Sequence, residues 1–267
     1  MRRLLIRPGA IGDCILSLPA LEFLRSDYTE VWTPAAVVPL IRFADCVRAI
    51  SSTGLDLVEL PGTDGSSAFE SLRSFDSIIS WYGANREEFR DCVRKLGLPF
   101  EFFKALPEES LGIHVADFFL SQVCGTPPAI PRISVPAGER QDFAIIHPFS
   151  GSVAKNWPLH RFREFAERLS MPVRWCSGPE DPSLPGAIHM DDLYELAGWL
   201  SSARVYIGND SGLTHLAAAV GTPVVAIFGP TDPAVWAPRA VNRQIVRGDL
   251  QELDVNAVLA AVDALLR

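Results

Sequence analysis

Four segments of the chain leave the end of a strand-like run and carry glycine beside groups that ionise or donate hydrogen bonds. In the first, Arg7-Pro8-Gly9-Ala10-Ile11-Gly12-Asp13, the glycines let a ligand approach the backbone because they lack a Cβ. Asp13 closes that turn, where a carboxylate can take a proton from an attacking hydroxyl, an effect worth about 10² to 10⁴ in rate. The same residue would serve equally as a helix N-cap. The second segment runs from His147 to Pro158. Ser150, Gly151 and Ser152 offer hydroxyls and an open backbone N–H there, and Lys155 offers positive charge, a set suited to a diphosphate. The third, Ile207-Gly208-Asn209-Asp210-Ser211-Gly212-Leu213-Thr214-His215, turns from a strand straight into an alanine-rich helix. The free N–H groups at its start form an anion site. His215, one turn on, reaches a phosphate or stays a satisfied core histidine. The fourth, Phe228-Gly229-Pro230-Thr231-Asp232-Pro233, is a rigid turn in which Thr231 and Asp232 either touch a ligand or cap a helix.

Two weaker candidates are Glu180, where a carboxylate can bind ribose hydroxyls, and the stretch Trp81-Tyr82-Gly83-Ala84-Asn85, which can face an acceptor sugar. Several chemistries are disfavoured. G-x-x-G is short of the dinucleotide fingerprint, and Ser150 and Lys155 are not in P-loop order. G-x-S-x-G is absent, so there is no nucleophile elbow. The five histidines are dispersed and no cluster has metal-ligand spacing, so neither a metal nor another cofactor is expected.

The elements that must position these groups alternate strand and helix, which predicts parallel sheets covered by helices. Strands are predicted over residues 3–7, 31–33, 47–50, 57–60 and 77–81, and helices over 13–25, 87–96 and 111–123. Pro19 predicts a kink or an early break in the first helix. Residues 125–138 are rich in Pro and Gly and read as a linker. The alternation then restarts, with strands over 143–147, 173–177, 205–208 and 223–228, and helices over 158–169, 192–201, 212–220 and 254–266. The chain thus divides into residues 1–135 and 136–267, two similar α/β folds in series.

The 267 residues suit two domains of ordinary size, and 48% apolar residues supply a core. A net charge of -8 argues against a nucleic-acid partner, which needs a basic footprint. Five separated cysteines without a C-x-x-C pair read as reduced thiols in a cytoplasmic protein. The apolar run at the N-terminus is too short for a signal peptide, and no stretch of about 18 apolar residues occurs.

Taken in order, the first, second and third segments, with Gly221-Thr222-Pro223 running on through Phe228 to Pro233, resemble the ADP-heptose:lipopolysaccharide heptosyltransferases, glycosyltransferase family 9. The resemblance extends from the N-terminus to about Pro238 and is weak between Ser26 and Phe143. It implies the GT-B fold, two Rossmann-like domains facing across a cleft, with acceptor bound by the first and donor by the second. It implies an inverting, metal-independent transfer with Asp13 as general base. Ser150, Gly151 and Lys155 would contact the donor diphosphate, and Asp210, Ser211, Gly212, Leu213 and His215 the donor phosphates and sugar. Glu180 would bind ribose, and the loop carrying Asp191 would flank adenine. Gly12, Trp81, Tyr82 and Asn85 are the acceptor-side candidates. The implied partners are a nucleotide-diphosphate sugar, ADP-heptose above all, and a lipopolysaccharide core acceptor, which implies peripheral contact with the inner membrane. The chain is shorter than the family's usual members, chiefly in the first domain. A transferase with another donor sugar, a sugar-nucleotide-binding protein without turnover and a sugar-nucleotide epimerase are the competing readings; a carboxylate at position 13 favours transfer over binding.

Overall fold

The computed structural model describes residues 1–58, 67–108, 112–136 and 138–267. Two sheets organise them. The first contains β1 (Arg2–Ile6), β2 (Tyr28–Thr33), β3 (Cys46–Ala49), β4 (Ser77–Ser80) and β5 (Phe100–Phe102), in spatial order β3-β2-β1-β4-β5. The second contains β6 (Gln141–His147), β7 (Val173–Ser177), β8 (Ile188–His189), β9 (Ala203–Asn209), β10 (Val224–Phe228) and β11 (Arg243–Arg247), in order β11-β10-β9-β6-β7-β8. All the described pairings are parallel. The helices of the first half are α1 (Ile11–Phe23), α2 (Ser67–Arg73), α3 (Glu87–Lys95) and α4 (Val115–Gln122). Those of the second are α5 (Leu159–Arg168), α6 (Leu193–Ser201), α7 (Gly212–Ala219), α8 (Pro233–Trp236) and α9 (Val255–Leu266). The fold is therefore two Rossmann-like α/β domains. No described helix is long and apolar enough to cross a membrane.

In each sheet the strand order reverses beside the first strand of that half, between β1 and β4 and between β6 and β9. Crevices at such reversals are where open parallel sheets bind ligands. The loops after β1, β6 and β9 are the first, second and third segments singled out above. The inner stretches of the central strands are apolar because helices cover both faces; all five residues of β10 are buried.

Three short strands escape the sequence pattern. β5 has three residues, β8 has two, and β11 reads Arg-Gln-Ile-Val-Arg. They lie at or next to sheet edges, where neither length nor alternation marks a strand. The strand expected over 57–60 is corrected: Leu55–Leu57 forms a 3-10 turn, and residues 59 and 60 lie outside the described residues. Leu111, the expected start of the helix over 111–123, also lies outside them, and α4 begins at Val115. α1 runs through Pro19 without breaking. Proline there removes one helical hydrogen bond, but α1 is buried against its sheet, α4 and α7, and that packing outweighs the loss.

The helices that start the two switch-point loops, α1 and α7, pack on each other and join the halves. Glycine makes the approach possible on both sides. A Cβ on Gly12 would stand 3.0 Å from His215 Cδ2, and one on Gly212 would stand 2.9 Å from Ile11 Cβ and 3.2 Å from the Gly12 nitrogen. Gly212→Ala should therefore destabilise the protein by about 1–3 kcal/mol through overpacking against backbone. Gly151→Ala, whose Cβ meets nothing within 4 Å, should stay within about 0.5 kcal/mol of the parent. Urea unfolding checks both, and equal midpoints for the two variants would contradict the tight contact.

Candidate active site

Asp13 sits in the first turn of α1, but as its third residue; the N-cap is Ala10. One carboxylate oxygen, Oδ2, accepts a weak bond from the Ala10 N–H at 3.3 Å, so the capping role expected as an alternative is present in part. Asp13 lines a cavity of about 350 Å³ together with Gly12, Gly151, Lys155, Asp210, Ser211, Gly212 and His215. A carboxylate from the first domain thus looks across the cleft at the start of α7. A second cavity, of about 290 Å³, is lined by Gly12, Ser150, Gly151, Glu180, Ser211, Gly212 and Leu213. Gly12, Gly151, Ser211 and Gly212 line both, which makes the two one continuous cleft.

Lys155 is placed by its neighbour. Trp157 is fully buried, stacks edge-on against Phe162 and donates from Nε1 to the Leu253 carbonyl. Its backbone N–H donates to Asn209 Oδ1 at 2.9 Å, and Asn209 Nδ2 donates to the Pro148 carbonyl at 2.8 Å. The end of β9 therefore holds both ends of the loop that carries Lys155. Within that loop the Ser150 hydroxyl is engaged with the Ser152 carbonyl and Asn156 Oδ1, each at 2.7 Å. Lys155 Nζ reaches Asp210 Oδ2 at 2.9 Å, and the Thr231 hydroxyl donates to the same oxygen at 2.8 Å. Ser211 caps α7 by accepting from the Thr214 N–H.

His215 is 5% exposed, with Nε2 3.9 Å from Asp210 Oδ1 and, among the described residues, no hydrogen-bond partner for Nδ1. Burial pushes its pKa from 6.5 down to about 4, and the charges of His114 and Lys155 add to that, while Asp210 opposes it. The imidazole is neutral at pH 7, a wall of the cleft and not a cationic clamp.

Not every candidate reaches the cleft. Trp81 is corrected to a core residue: it is 1% exposed and packs on Phe103. The Tyr82 hydroxyl is bound by Asp56 and Arg86, and its ring meets Phe89 edge-on. Burial first, and the Asp56 carboxylate with it, raises the Tyr82 pKa to about 12. Asn85 is exposed, and none of the three lines either cavity. Asp191 is also exposed and lines neither; it lies 3.2 Å from His189. Asp232 caps α8.

Other residues were missed by sequence reasoning. Leu16, Leu106 and Trp236 line the cavity beside Asp13; apolar residues in a loop or helix carry no signal of that kind. His147, 1% exposed, binds Asp181 through Nε2 at 2.7 Å and lies 3.4 Å from the Ser211 hydroxyl through Nδ1. It thereby joins the loops after β6, β7 and β9. Asp181 has its pKa raised by burial but lowered further by His147 and the Gly178 N–H, for a net depression. Among the described residues no group of three or more His, Cys, Asp or Glu could hold a metal ion.

Two facing Rossmann-like domains with a carboxylate opposite a helix start across their cleft define a GT-B fold. The model of "Glycosyltransferase family 9 (heptosyltransferase)" matches residues 189–258. Lipopolysaccharide heptosyltransferase 3 of Escherichia coli is 29% identical over a stretch that covers 44% of this chain and 40% of that protein. Its counterpart from Escherichia coli strain K12 is 28% identical over 86% of this chain and 83% of its own length. The solved structure of E. coli ADP-heptose lps heptosyltransferase II superposes with a TM-score of 0.75 at 17% identity, covering 100% of this chain and 98% of that one. The chain is thus similar to family 9 glycosyltransferases, in sequence over residues 189–258 and in fold over its whole length.

His215 makes the site acid-sensitive. The unfolded chain takes up a proton near pH 6.5 and the folded one only near pH 4. Its contribution to stability is therefore complete above pH 6.5 and falls as pH drops towards 4, by about 2 kcal/mol at pH 5. Urea unfolding at pH 7.5 and pH 5 should show this loss in the parent and a smaller one in His215→Gln. Equal losses would remove His215 as the cause.

Proposed function

We propose that this protein transfers heptose from ADP-heptose to a hydroxyl of a lipopolysaccharide core acceptor, with inversion at the anomeric carbon and without a metal ion. The observation that carries the reading is the shared cavity in which Asp13 faces Lys155, Asp210 and the start of α7. In this scheme Asp13 takes the acceptor hydroxyl proton as the oxygen attacks the anomeric carbon. The bond to the diphosphate oxygen breaks on the opposite side, and its electron pair leaves with ADP. A single displacement of this geometry inverts the centre. The leaving charge falls on Lys155 and the free N–H groups of α7, the type of preorganised stabilisation that contributes most to such reactions. For that, Lys155 shares or exchanges its bond to Asp210.

The remaining roles follow the family resemblance. Ser150, Gly151, Ser211, Gly212 and Leu213 contact the diphosphate, Asp210 and His215 the donor sugar, and Glu180 the ribose, with the loop through Asp191 near adenine. Gly151 suits close approach, since nothing in the protein stands within 4 Å of where its Cβ would be. The acceptor enters from the first domain past Gly12, Leu16 and Leu106. We place the division between the domains after residue 135, and the reaction on the cytoplasmic side of the inner membrane.

A thermal-shift series tests the donor, because a ligand of the native state raises its apparent stability by mass action. ADP and ADP-heptose should raise the midpoint more than UDP or GDP; no shift with any of them defeats the reading. Asp13→Ala should keep the donor dissociation constant while turnover drops about 10² to 10⁴-fold, and undiminished turnover removes Asp13 from the base role. Lys155→Ala should weaken ADP binding by about tenfold or more, as loss of a charge-assisted bond requires. An unaltered constant contradicts that assignment.

A further inference from the structure

Arg7 follows β1 and is 1% exposed, among the most deeply buried charged groups of the protein. Its hydrogen bonds all go to uncharged acceptors. Nε donates to the Ser17 hydroxyl at 3.0 Å, Nη2 to the Asp13 carbonyl at 3.2 Å, and Nη1 to the Pro8 carbonyl. The guanidinium lies over the Phe119 ring of α4, 4.4 Å from its centroid. Pro8 and Asp13 are the two ends of the glycine turn, so one rigid fork holds both. The planar geometry of arginine allows this, and a lysine ammonium does not reproduce it.

The position also has an electrostatic side. A buried cation bonded only to neutral groups is costly unless an anion stands near. Gly9 has both the guanidinium and a carboxylate beside it. Its φ is +128°, a conformation glycine adopts without strain, and a Cβ there would stand 3.3 Å from Arg7 Nη1 and 3.4 Å from Asp13 Oδ2. The guanidinium and the carboxylate therefore flank the same bare spot. Burial lowers the Arg7 pKa, and Cys14 and Asp13 pull it back up. The other titratable groups around Asp13 are the buried Cys14 thiol on its own helix and, lining the cavity from the second domain, Lys155, Asp210 and His215. Of the cations in this set, Lys155 is held by Asp210, whereas Arg7 makes no ion pair among the described residues.

We propose that Arg7 is a positioning residue for the general base: its fork fixes the turn that aims Asp13 into the cleft. This rests on the assignment of Asp13 as base made above. Arg7 itself is buried beneath the turn and contacts no substrate.

The test uses Arg7→Met and Arg7→Lys in the full chain, with three readouts: kcat for transfer from ADP-heptose, the ADP dissociation constant, and the 13C NMR resonance of the Asp13 carboxyl carbon, assigned with Asp13→Asn. Arg7→Met should lower kcat about 10² to 10³-fold. Its Asp13 resonance should move and broaden as the turn loosens, while ADP affinity stays within about twofold of the parent, as a ligand held by the second domain requires. Arg7→Lys loses the fork, so kcat should still fall about tenfold. It also serves if the methionine variant does not fold. An Asp13 resonance and kcat that match the parent in both variants overturn the proposal, as does a loss of ADP affinity in step with kcat, the mark of general structural damage. Absence of transfer by the parent protein would defeat the functional reading alone, because the NMR resonance still reads whether Arg7 holds the turn at Asp13.

Discussion

The contact between the first turns of α1 and α7 governs the architecture. Gly12 and Gly212 have no Cβ, so the two helix starts meet almost backbone to backbone. Each of these helices leaves the switch point of its own sheet, one after β1 and the other after β9. Their meeting is what turns two separate crevices into one cleft. It also sets Asp13 of the first domain within a cavity shared with Lys155, Asp210 and His215 of the second. Side chains at either glycine would hold the helices apart and widen the cavity between them.

Around that contact the second domain is wired for rigidity. Asn209 holds the loop that carries Lys155, and buried Trp157 anchors its far end. His147 joins Asp181 to the cap of α7. The ligand-facing loops after β6, β7 and β9 are therefore bonded to each other as well as to the sheet. Such cross-bracing limits the reorganisation needed when charge develops on a leaving group, which is where preorganised sites gain over water. The first domain uses a different device. A single buried guanidinium gathers the turn before α1, and the aromatic face of Phe119 shields it from solvent.

The neutral state of His215 fits the same economy of charge. Lys155 already faces Asp210 at 2.9 Å, and a second cation beside it would raise the cost of burial. Burial keeps the imidazole uncharged down to about pH 4. The cleft then presents one cation, paired with Asp210, and one helix start.

Much of this was legible in the residues alone. The alternation of apolar runs marks parallel sheets, because a strand covered on both faces has to be apolar throughout. The turns at Gly9–Asp13 and Asp210–Gly212 mark ligand loops, because glycine and free N–H groups at a helix start have a local meaning. Trp81 was misread for the converse reason. It sits in a loop at a strand end, and no local pattern tells whether such a side chain turns into the core or into the cleft. The edge strands β5, β8 and β11 are too short or too charged to carry a periodic signal. The sequence by itself determined the two-domain class, the glycine-bearing loops at the strand ends and the residue types within them, since these depend on spacing along the chain. Only the tertiary structure decided that Asp13 and Lys155 share a cavity, that Leu16, Leu106 and Trp236 line it, and that His215 is neutral and Arg7 buried. Those facts depend on how closely α1 approaches α7, a distance set by packing between segments some 200 residues apart.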